Sequence, residues 1–316
     1  MNPVATPQDT PVLTLVTNPR AGVGRGAKIL PEVVAHLVRG LPDWRIHLME
    51  TVSYPEAERA LADAVASSRP ATDQRPADAL AVLGGDGMMH LGLNACAATG
   101  VPLGMIPGGT GNDLCRGLGI DAHDTQAAVR AIIAGRTREV DLLSTSGSLV
   151  GGPTRWVGSA VATGYPAKVN RRANALSWPR GGARYFVAAM AELRTFEPMQ
   201  YHLEIDGEQR SFEAMFVVVG NTKYFGSGMH ACPYAEPDDG LADVTIVHPT
   251  DKATLVRLLP RMYSGRYVAH PAVELLRASR VRLAGSDLYC MADGEDLGPT
   301  PVDIQIRPGA LEVYVP

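Results

Sequence analysis

The sequence predicts an α/β N-terminal domain with a parallel sheet, followed by a mainly antiparallel β-sandwich domain. Two observations carry this. Short apolar, β-branched runs alternate with helical patterns from residue 12 to about 134, the signature of a parallel sheet covered by helices. After Val140 the rhythm changes to closely spaced strand patterns interrupted by few helices. At 316 residues, length alone fits two domains of roughly 150 residues each. The expected division is 12–140 and 141–303.

The first strand is 12–17, VLTLVT, a run suited to full burial. A helix over 26–39 follows, with Ile29, Leu30, Val33, Val34 and Leu37 at helical spacing. Strand two is 44–49 and a helix spans 55–67. A polar, proline-containing loop covers 69–78. Strand three, 79–83, and strand four, 103–106, each run directly into a glycine cluster, with helices over 88–98 and 123–134. In the second half, 137–164, 200–220, 242–248, 272–291 and 302–315 read as strands. Helices are expected at 183–194 and 251–260. Residues 1–11, rich in Pro and Thr, read as a disordered leader.

Composition narrows the function classes. Hydrophobic residues make up 46% and charged residues 20% of the chain, ordinary values for a globular protein. A net charge of −4 argues against a general nucleic-acid binder. No run of 18 apolar residues occurs, and the start lacks the charged and apolar regions of a signal peptide, so a cytoplasmic protein is expected. Cys96, Cys115, Cys232 and Cys290 form no CxxC pair and no zinc spacing. Cys96 and Cys115 lie in apolar surroundings and read as buried, reduced thiols.

Ligands of parallel α/β sheets bind at the carboxyl ends of the strands. Both glycine clusters sit there. In Gly84-Gly85-Asp86-Gly87 the glycines remove side chains where backbone N–H groups can face phosphate oxygens, and the following helix adds its positive end. Asp86 is a candidate to reach Mg²⁺, or a helix N-cap. In Pro107-Gly108-Gly109-Thr110-Gly111-Asn112-Asp113, Thr110 offers a donor to phosphate, and Asn112 and Asp113 suit the nucleotide or a helix cap. A third loop, Asn18-Pro19-Arg20-Ala21-Gly22-Val23-Gly24-Arg25-Gly26-Ala27, contains Gly22-x-Gly24-x-x-Ala27, with Glu50 ending strand two. That loose match keeps a dinucleotide-binding oxidoreductase open. No Walker sequence is present.

These motifs, in this order, resemble the diacylglycerol kinase catalytic-domain family of soluble bacterial lipid kinases, related to sphingosine and ceramide kinases. The resemblance extends through Gly226-Ser227-Gly228-Met229, Pro233…Pro237-Asp238-Asp239-Gly240-Leu241 and Asp293-Gly294-Glu295, and so covers about 12 to 316. It implies an N-terminal domain like that of NAD kinase and phosphofructokinase, with ATP between it and the β-sandwich. The segment 304–316 is expected to return to the first domain. By the resemblance, Asn18, Pro19, Arg20, Ala21, Gly22 and Thr51 hold the nucleotide. The phosphates fall to Gly84, Gly85, Asp86, Gly87, Met88, Gly109, Thr110, Asn112 and Asp113. Asp293 or Glu295 resembles the general base. Asp239, with backbone oxygens near Glu236 and Leu241, resembles a structural Mg²⁺ site. The implied reaction is ATP-dependent phosphorylation of a lipid hydroxyl, that of diacylglycerol first, at a membrane surface. Some relatives dimerise.

Two departures stand out. Met88 follows GGDG where the family has Thr, and Leu91 replaces a frequent Glu. An NAD kinase-like enzyme and a non-catalytic nucleotide or lipid sensor remain alternatives. If Asp293 and Glu295 lie two apart on one strand, they share a face, and mutual repulsion suits one of them to act as a base near pH 7. An acidic hairpin turn is the plainer alternative. Residues 168–184 carry Lys168, Arg171, Arg172, Arg180 and Arg184 without an acid, around Trp178, fitting an anionic membrane surface or a solvated loop. His90 and His230 read as structural.

Overall fold

The computed structural model describes residues 10–19, 25–176, 178 and 182–316. The chain divides into two compact units. One runs up to Val140 and includes Gly309–Pro316; the other is Asp141–Pro308.

In the first unit the order is β1 (Val12–Thr17), α1 (Arg25–Gly40), β2 (Arg45–Glu50), α2 (Tyr54–Ala66), β3 (Ala79–Gly84), α3 (Asp86–Cys96), β4 (Leu103–Pro107), α4 (Asp113–Gly117) and α5 (Thr125–Ala134). The strands form a parallel sheet in the order β2-β1-β3-β4. β1, β3 and β4 are apolar almost throughout because both faces are covered. One face carries Leu13, Leu15, Ala81 and Leu83 against Leu30, Val33 and Leu37 of α1 and Val129 and Ile132 of α5. α2 and α3 pack on β1 and β3 as well, and contribute nothing to that cluster, so they cover the alternate residues. Tyr314 near the C-terminus joins the first cluster, and Val313 pairs in parallel with Leu103.

β5 (Thr137–Gly147) leads into the second unit. There follow β6 (Thr154–Val157), β7 (Ala160–Ala162), α6 (Tyr165–Ala175), α7 (Gly182–Thr195), β8 (Met199–Ile205), β9 (Glu208–Ala214) and β10 (Phe216–Gly220). Next come β11 (Tyr224–Phe225), β12 (Met229–His230), β13 (Ala242–Val247), α8 (Lys252–Met262), β14 (Val273–Ala278), β15 (Arg280–Ala284), β16 (Tyr289–Ala292), β17 (Glu295–Pro299) and β18 (Val302–Tyr314). Antiparallel β18-β15-β8-β9 is one layer, and β14-β13-β10-β7-β16-β17 is the other. Tyr201, Leu203, Val281, Leu283 and Ile304 of the first meet Val217, Val219, Val244 and Ile246 of the second. This is a β-sandwich core. The next residues over on β10, Phe216 and Val218, face the helices instead, with Leu193, Phe196, Leu255 and Leu258. A strand buried on both faces explains the unbroken run FVVVG.

Several expectations need correction. Residues 165–175 form a helix, where a solvated loop was one expectation for 168–184. Its buried residues are Tyr165, Ala167, Asn170 and Ala173, mostly small or polar, so no apolar stripe marks it. The short helix α4 also escaped notice. α3 starts at Asp86, two residues before the expected 88. Thr10 and Pro11 are not part of a loose leader: their carbonyls accept bonds from Arg69 Nη2 and Arg45 N. The rest of that stretch lies outside the described residues. All four cysteines are buried and unpaired, and burial pushes the Cys96 thiol up to about 12.

The polar loop 69–78 ends in a buried anchor. Asp78 Oδ1 accepts from Val12 N at 2.8 Å and Arg75 Nη1 at 2.8 Å; Oδ2 accepts from Arg69 Nε at 2.7 Å. The carboxylate thus clamps the entrances of β1 and β3. Burial alone would raise the Asp78 carboxyl, but the Arg69 bonds, the Val12 and Arg69 amides and the Arg69 charge outweigh it and hold the group below its ordinary value. A depressed carboxyl contributes stability above its unfolded value, about 3.9, and loses it as pH falls through the folded value. Asp78→Asn is therefore expected to cost about 3 kcal/mol near pH 7, leaving Arg75 without its buried anion. The gap to wild type in thermal melts should stay full above about pH 5 and close as pH falls below about 4. An equal gap at both extremes would refute the assignment.

Candidate functional site

The carboxyl ends of the parallel strands are stitched by side-chain bonds. Thr51, after β2, donates from Oγ1 to Thr17 O at 3.1 Å, and Thr17 Oγ1 donates to Leu83 O at 3.0 Å. Gly108 N donates to Gly84 O at 2.7 Å. All four strand ends are thereby locked side by side. Thr51 is buried, with its hydroxyl proton committed to backbone, so its role here is to hold the edge. Asn18 and Pro19 follow β1 and are half-buried. Arg20, Ala21 and Gly22 lie outside the described residues.

The two glycine loops touch. A Cβ on Gly109 would fall 2.5 Å from the Gly85 Cα and 2.9 Å from Asn112 Oδ1, so no other residue fits without moving backbone. Asp86 joins them. Its Oδ2 accepts from Asn112 N at 3.0 Å and its Oδ1 from Asp113 N at 2.8 Å. Both carboxylate oxygens therefore brace the second loop, and the N-cap position of α3 belongs to Gly85. Asn112 has left-handed backbone, φ 54°, and is fully buried. Its amide does not cap α4. Instead Oδ1 accepts from Gly109 N at 3.2 Å, while Nδ2 donates to Gly109 O at 3.1 Å and to Ala122 O at 2.9 Å. Asp113 opens α4. Thr110 is exposed at the tip, and Gly85 and Gly87 are half-buried. What remains for a ligand is an edge of small residues and backbone beside the α3 N-terminus, the chemistry that receives phosphate. Met88 is turned away from that role: it is 7% exposed, and its Cγ would lie 2.5 Å from a Cβ on Gly84. Leu91 is buried in the core.

In the second unit Asp293 and Gly294 are the two central residues of the β16–β17 hairpin. Ala292 pairs with Glu295, and the φ values are 50° and 87°. This fits a type I′ turn, which takes Asp-Gly readily. The expectation that Asp293 and Glu295 share one strand face is thus incorrect, because a tight turn separates them. Yet Asp293 is no solvated turn residue. It is 8% exposed, and its carboxylate accepts from Gly158 N at 3.0 Å, Ser159 N at 2.8 Å and the Ser159 hydroxyl. Asn221 supports the same loop: its Nδ2 donates to Gly158 O at 3.2 Å and Asp141 O at 2.6 Å. Its Oδ1 and the neighbouring Thr222 hydroxyl are buried without a hydrogen-bond partner. Sequence reasoning missed Gly158, Ser159 and Asn221, which no local pattern flags. Glu295 begins β17 and is half-buried.

Around the expected metal position the acids outnumber the bases. Asp239 Oδ1 accepts from Leu241 N at 3.1 Å, and its other oxygen is ion-paired with Arg277. Arg277 Nε lies 3.4 Å from Asp243 Oδ2, but that buried oxygen has no hydrogen-bond partner. Burial raises the Asp243 carboxyl above its ordinary value; Arg277 opposes this, and the charges of Asp239 and Glu236 add to it. Glu236 pairs with Lys223 at 2.9 Å. Among the described residues, no three acidic, His or Cys side chains gather as a metal cage. A hard cation would accordingly rest on Asp239 and backbone oxygens, and the surplus of carboxylates suits one. His90 is buried beside Asn94 and His230 packs edge-on against Tyr224, both structural settings.

The comparisons agree with this arrangement. The model of the diacylglycerol kinase catalytic domain matches residues 12–145, and that of the YegS C-terminal NAD kinase beta sandwich-like domain matches 159–315. A diacylglycerol kinase of Mycobacterium tuberculosis strain H37Rv is 34% identical over 96% of this chain and 95% of its own. One from Staphylococcus aureus strain MRSA252 is 25% identical over 96% and 91%. A crystal structure of a diacylglycerol kinase from Bacillus anthracis strain Sterne shares the fold, with a TM-score of 0.70 at 21% identity over 97% of both chains. Yeast NADH kinase in complex with NADH shares it more loosely, with a TM-score of 0.50 at 12% identity over 98% and 87%. The chain belongs to the diacylglycerol kinase catalytic-domain family, and is a phosphotransferase of the lipid-kinase class.

Proposed function

We propose that the chain transfers the γ-phosphoryl group of ATP to a lipid hydroxyl at a membrane surface, with diacylglycerol as acceptor and phosphatidic acid as product. The observation that carries the nucleotide half is the Asp86 brace, which holds the two glycine loops together as one edge. The nucleotide-binding unit is the parallel-sheet one, and the β-sandwich unit takes the lipid. The amides of Gly85 and Gly87 and the Thr110 hydroxyl donate to phosphate oxygens, Gly109 lets the backbone approach closely, and Asn18, Pro19, Arg20, Ala21 and Gly22 lie toward the rest of the nucleotide.

Asp293 takes the proton of the acceptor hydroxyl. The hydroxyl oxygen forms the new bond to phosphorus while the bond to ADP breaks. Glu295 shares the hairpin and assists. Phosphoryl transfer asks mainly for alignment and charge neutralisation, so a base fixed in one orientation serves it well. Gly158 and Ser159 supply that orientation. Asp239, with backbone oxygens near Glu236 and Leu241, would hold a Mg²⁺ ion, which would neutralise the surplus acid there.

The reading is tested by incubating the chain with labelled ATP, Mg²⁺ and either diacylglycerol micelles or NAD. Label in phosphatidic acid is expected; label in NADP, or in nothing, overturns it. Asp293→Asn should lower turnover by about 10²–10⁴-fold with ATP affinity unchanged; full activity would end its role as base. Asp86→Ala should loosen both loops, weakening ATP binding about tenfold or more and lowering Tm, as loss of two charge-assisted bonds requires. ATP titration by calorimetry checks it, and wild-type affinity would contradict the brace. Millimolar Mg²⁺ should raise the Tm of the wild type and leave that of Asp239→Ala unmoved; an equal rise in both would place the ion elsewhere.

A further inference from the structure

β10 ends at Gly220, and the next residue, Asn221, is 1% exposed. A buried side-chain amide is costly unless both of its ends are bonded. Asn221 satisfies only the donor end. Its Nδ2 donates to Asp141 O at 2.6 Å and to Gly158 O at 3.2 Å, while Oδ1 is buried with no hydrogen-bond partner among the described residues. Turning the amide over would set Oδ1 against two carbonyl oxygens, so these neighbours fix its orientation. An apolar side chain would avoid the orphaned oxygen. What the amide brings to the structure is its donor end.

That donor end reaches Asp293 through a single peptide group. Gly158 O and Ser159 N belong to the same planar unit, whose C=O and N–H point in opposite directions. The oxygen accepts from Asn221 Nδ2, and the N–H donates to Asp293 Oδ1 at 2.8 Å. Amide, peptide and carboxylate thus form one line. A hydrogen bond at one end of such a line polarises the next, and a peptide bonded on both sides cannot turn freely about its flanking dihedrals. The far end is anchored too, because Asp141 lies within β5. Backbone bonds reinforce the same loop. Asn221 N and Thr222 N donate to Ser159 O at 2.8 and 3.2 Å. The carbonyls of Gly158 and Ser159 are therefore held from the Asn221 side, while their N–H groups hold the carboxylate.

We infer that Asn221 is a positioning residue for phosphoryl transfer: through the Gly158–Ser159 peptide it keeps the Asp293 carboxylate aimed at the acceptor hydroxyl. This rests on the reading of Asp293 as the base. In this role Asn221 touches neither nucleotide nor acceptor. It acts on turnover, because alignment of the base matters only once both substrates are bound.

The test is a double-mutant cycle assayed by label transfer from ATP to diacylglycerol in micelles. Asn221→Ala should lower kcat about tenfold, with KM for ATP and for diacylglycerol within about twofold of wild type. A residue that acts only through a carboxylate loses its effect once that carboxylate is gone. Adding Asn221→Ala to Asp293→Asn should therefore change the residual rate by less than about twofold. An equal, roughly tenfold fall in both backgrounds overturns the inference and leaves the base standing. A rise in KM at unchanged kcat also overturns it, since Asn221 would then serve binding. If Asn221→Ala does not fold, Asn221→Leu takes its place, because it removes the donor and leaves a smaller cavity. The same fall and the same non-additivity are expected of it, and kcat within about twofold of wild type overturns the proposal. Full activity of Asp293→Asn by itself would sink the base reading and this inference together, whereas the loss of the base with additive effects at Asn221 sinks the inference alone.

Discussion

The bond pair from the Asp86 carboxylate to the amides of Asn112 and Asp113 is the constraint on which the geometry of the two glycine loops depends. Glycine loops are entropically expensive to order, since glycine loses more freedom on folding than any other residue. Two such loops side by side would not keep their amides aimed without a rigid partner. Asp86 supplies it from the first turn of α3, a rigid element. Asn112 completes the loop by bonding both backbone groups of Gly109. The left-handed conformation at Asn112 is a local cost on the order of 1–3 kcal/mol, offset by those bonds and the one to Ala122.

The brace in turn needs fixed strand ends. Thr51, Thr17 and Leu83 form a chain of bonds across β2, β1 and β3 at their carboxyl ends. Asp78 does the same for β1 and β3 at the opposite ends. A sheet locked at both ends permits little relative sliding of its strands, so the loops inherit a stable base. On the proposed reading, this scaffold also accommodates Met88 in place of a hydroxyl. If the cradle is made chiefly of backbone amides on a braced scaffold, one side-chain donor is a small fraction of the contacts to phosphate. Met88 contributes packing against Gly84 instead.

Much of this was legible in the sequence for physical reasons. Continuous apolar runs ending in glycine clusters identify parallel strands and their ligand edge together, because burial on both faces and close backbone approach each leave a compositional trace. The ordered motifs then specify a family that the loose Gly22-x-Gly24 match alone would have misdirected toward dinucleotide chemistry. What stayed hidden was cross-chain bonding. Nothing local announces that Thr17 bonds Leu83, that Asp86 is a brace, or that Ser159 reaches Asp293 across 134 positions. The helix α6 was hidden differently: it buries Asn170 and two alanines, so its amphipathic signal lies below that of its cations.

At Asp293 the plain local reading as a turn and the proposed role as base need not compete. Asp-Gly at the centre of a two-residue hairpin is what turn chemistry favours. The same turn places a short carboxylate at the tip of two well-anchored strands, where three donors from Gly158 and Ser159 fix it. An acid on a longer, freer loop would spend rotamer entropy each time it met a hydroxyl. An acid held within a strand would face the core or the sheet surface, according to register. A hairpin tip escapes both limits, provided that a second loop supplies the donors, and here β6–β7 does so. The unpartnered Asn221 Oδ1 and Thr222 Oγ1 nearby leave hydrogen-bonding capacity on the supporting side of this arrangement. The turn is thereby both a favourable local structure for Asp-Gly and a place where two amides and one hydroxyl of a second loop fix the carboxylate.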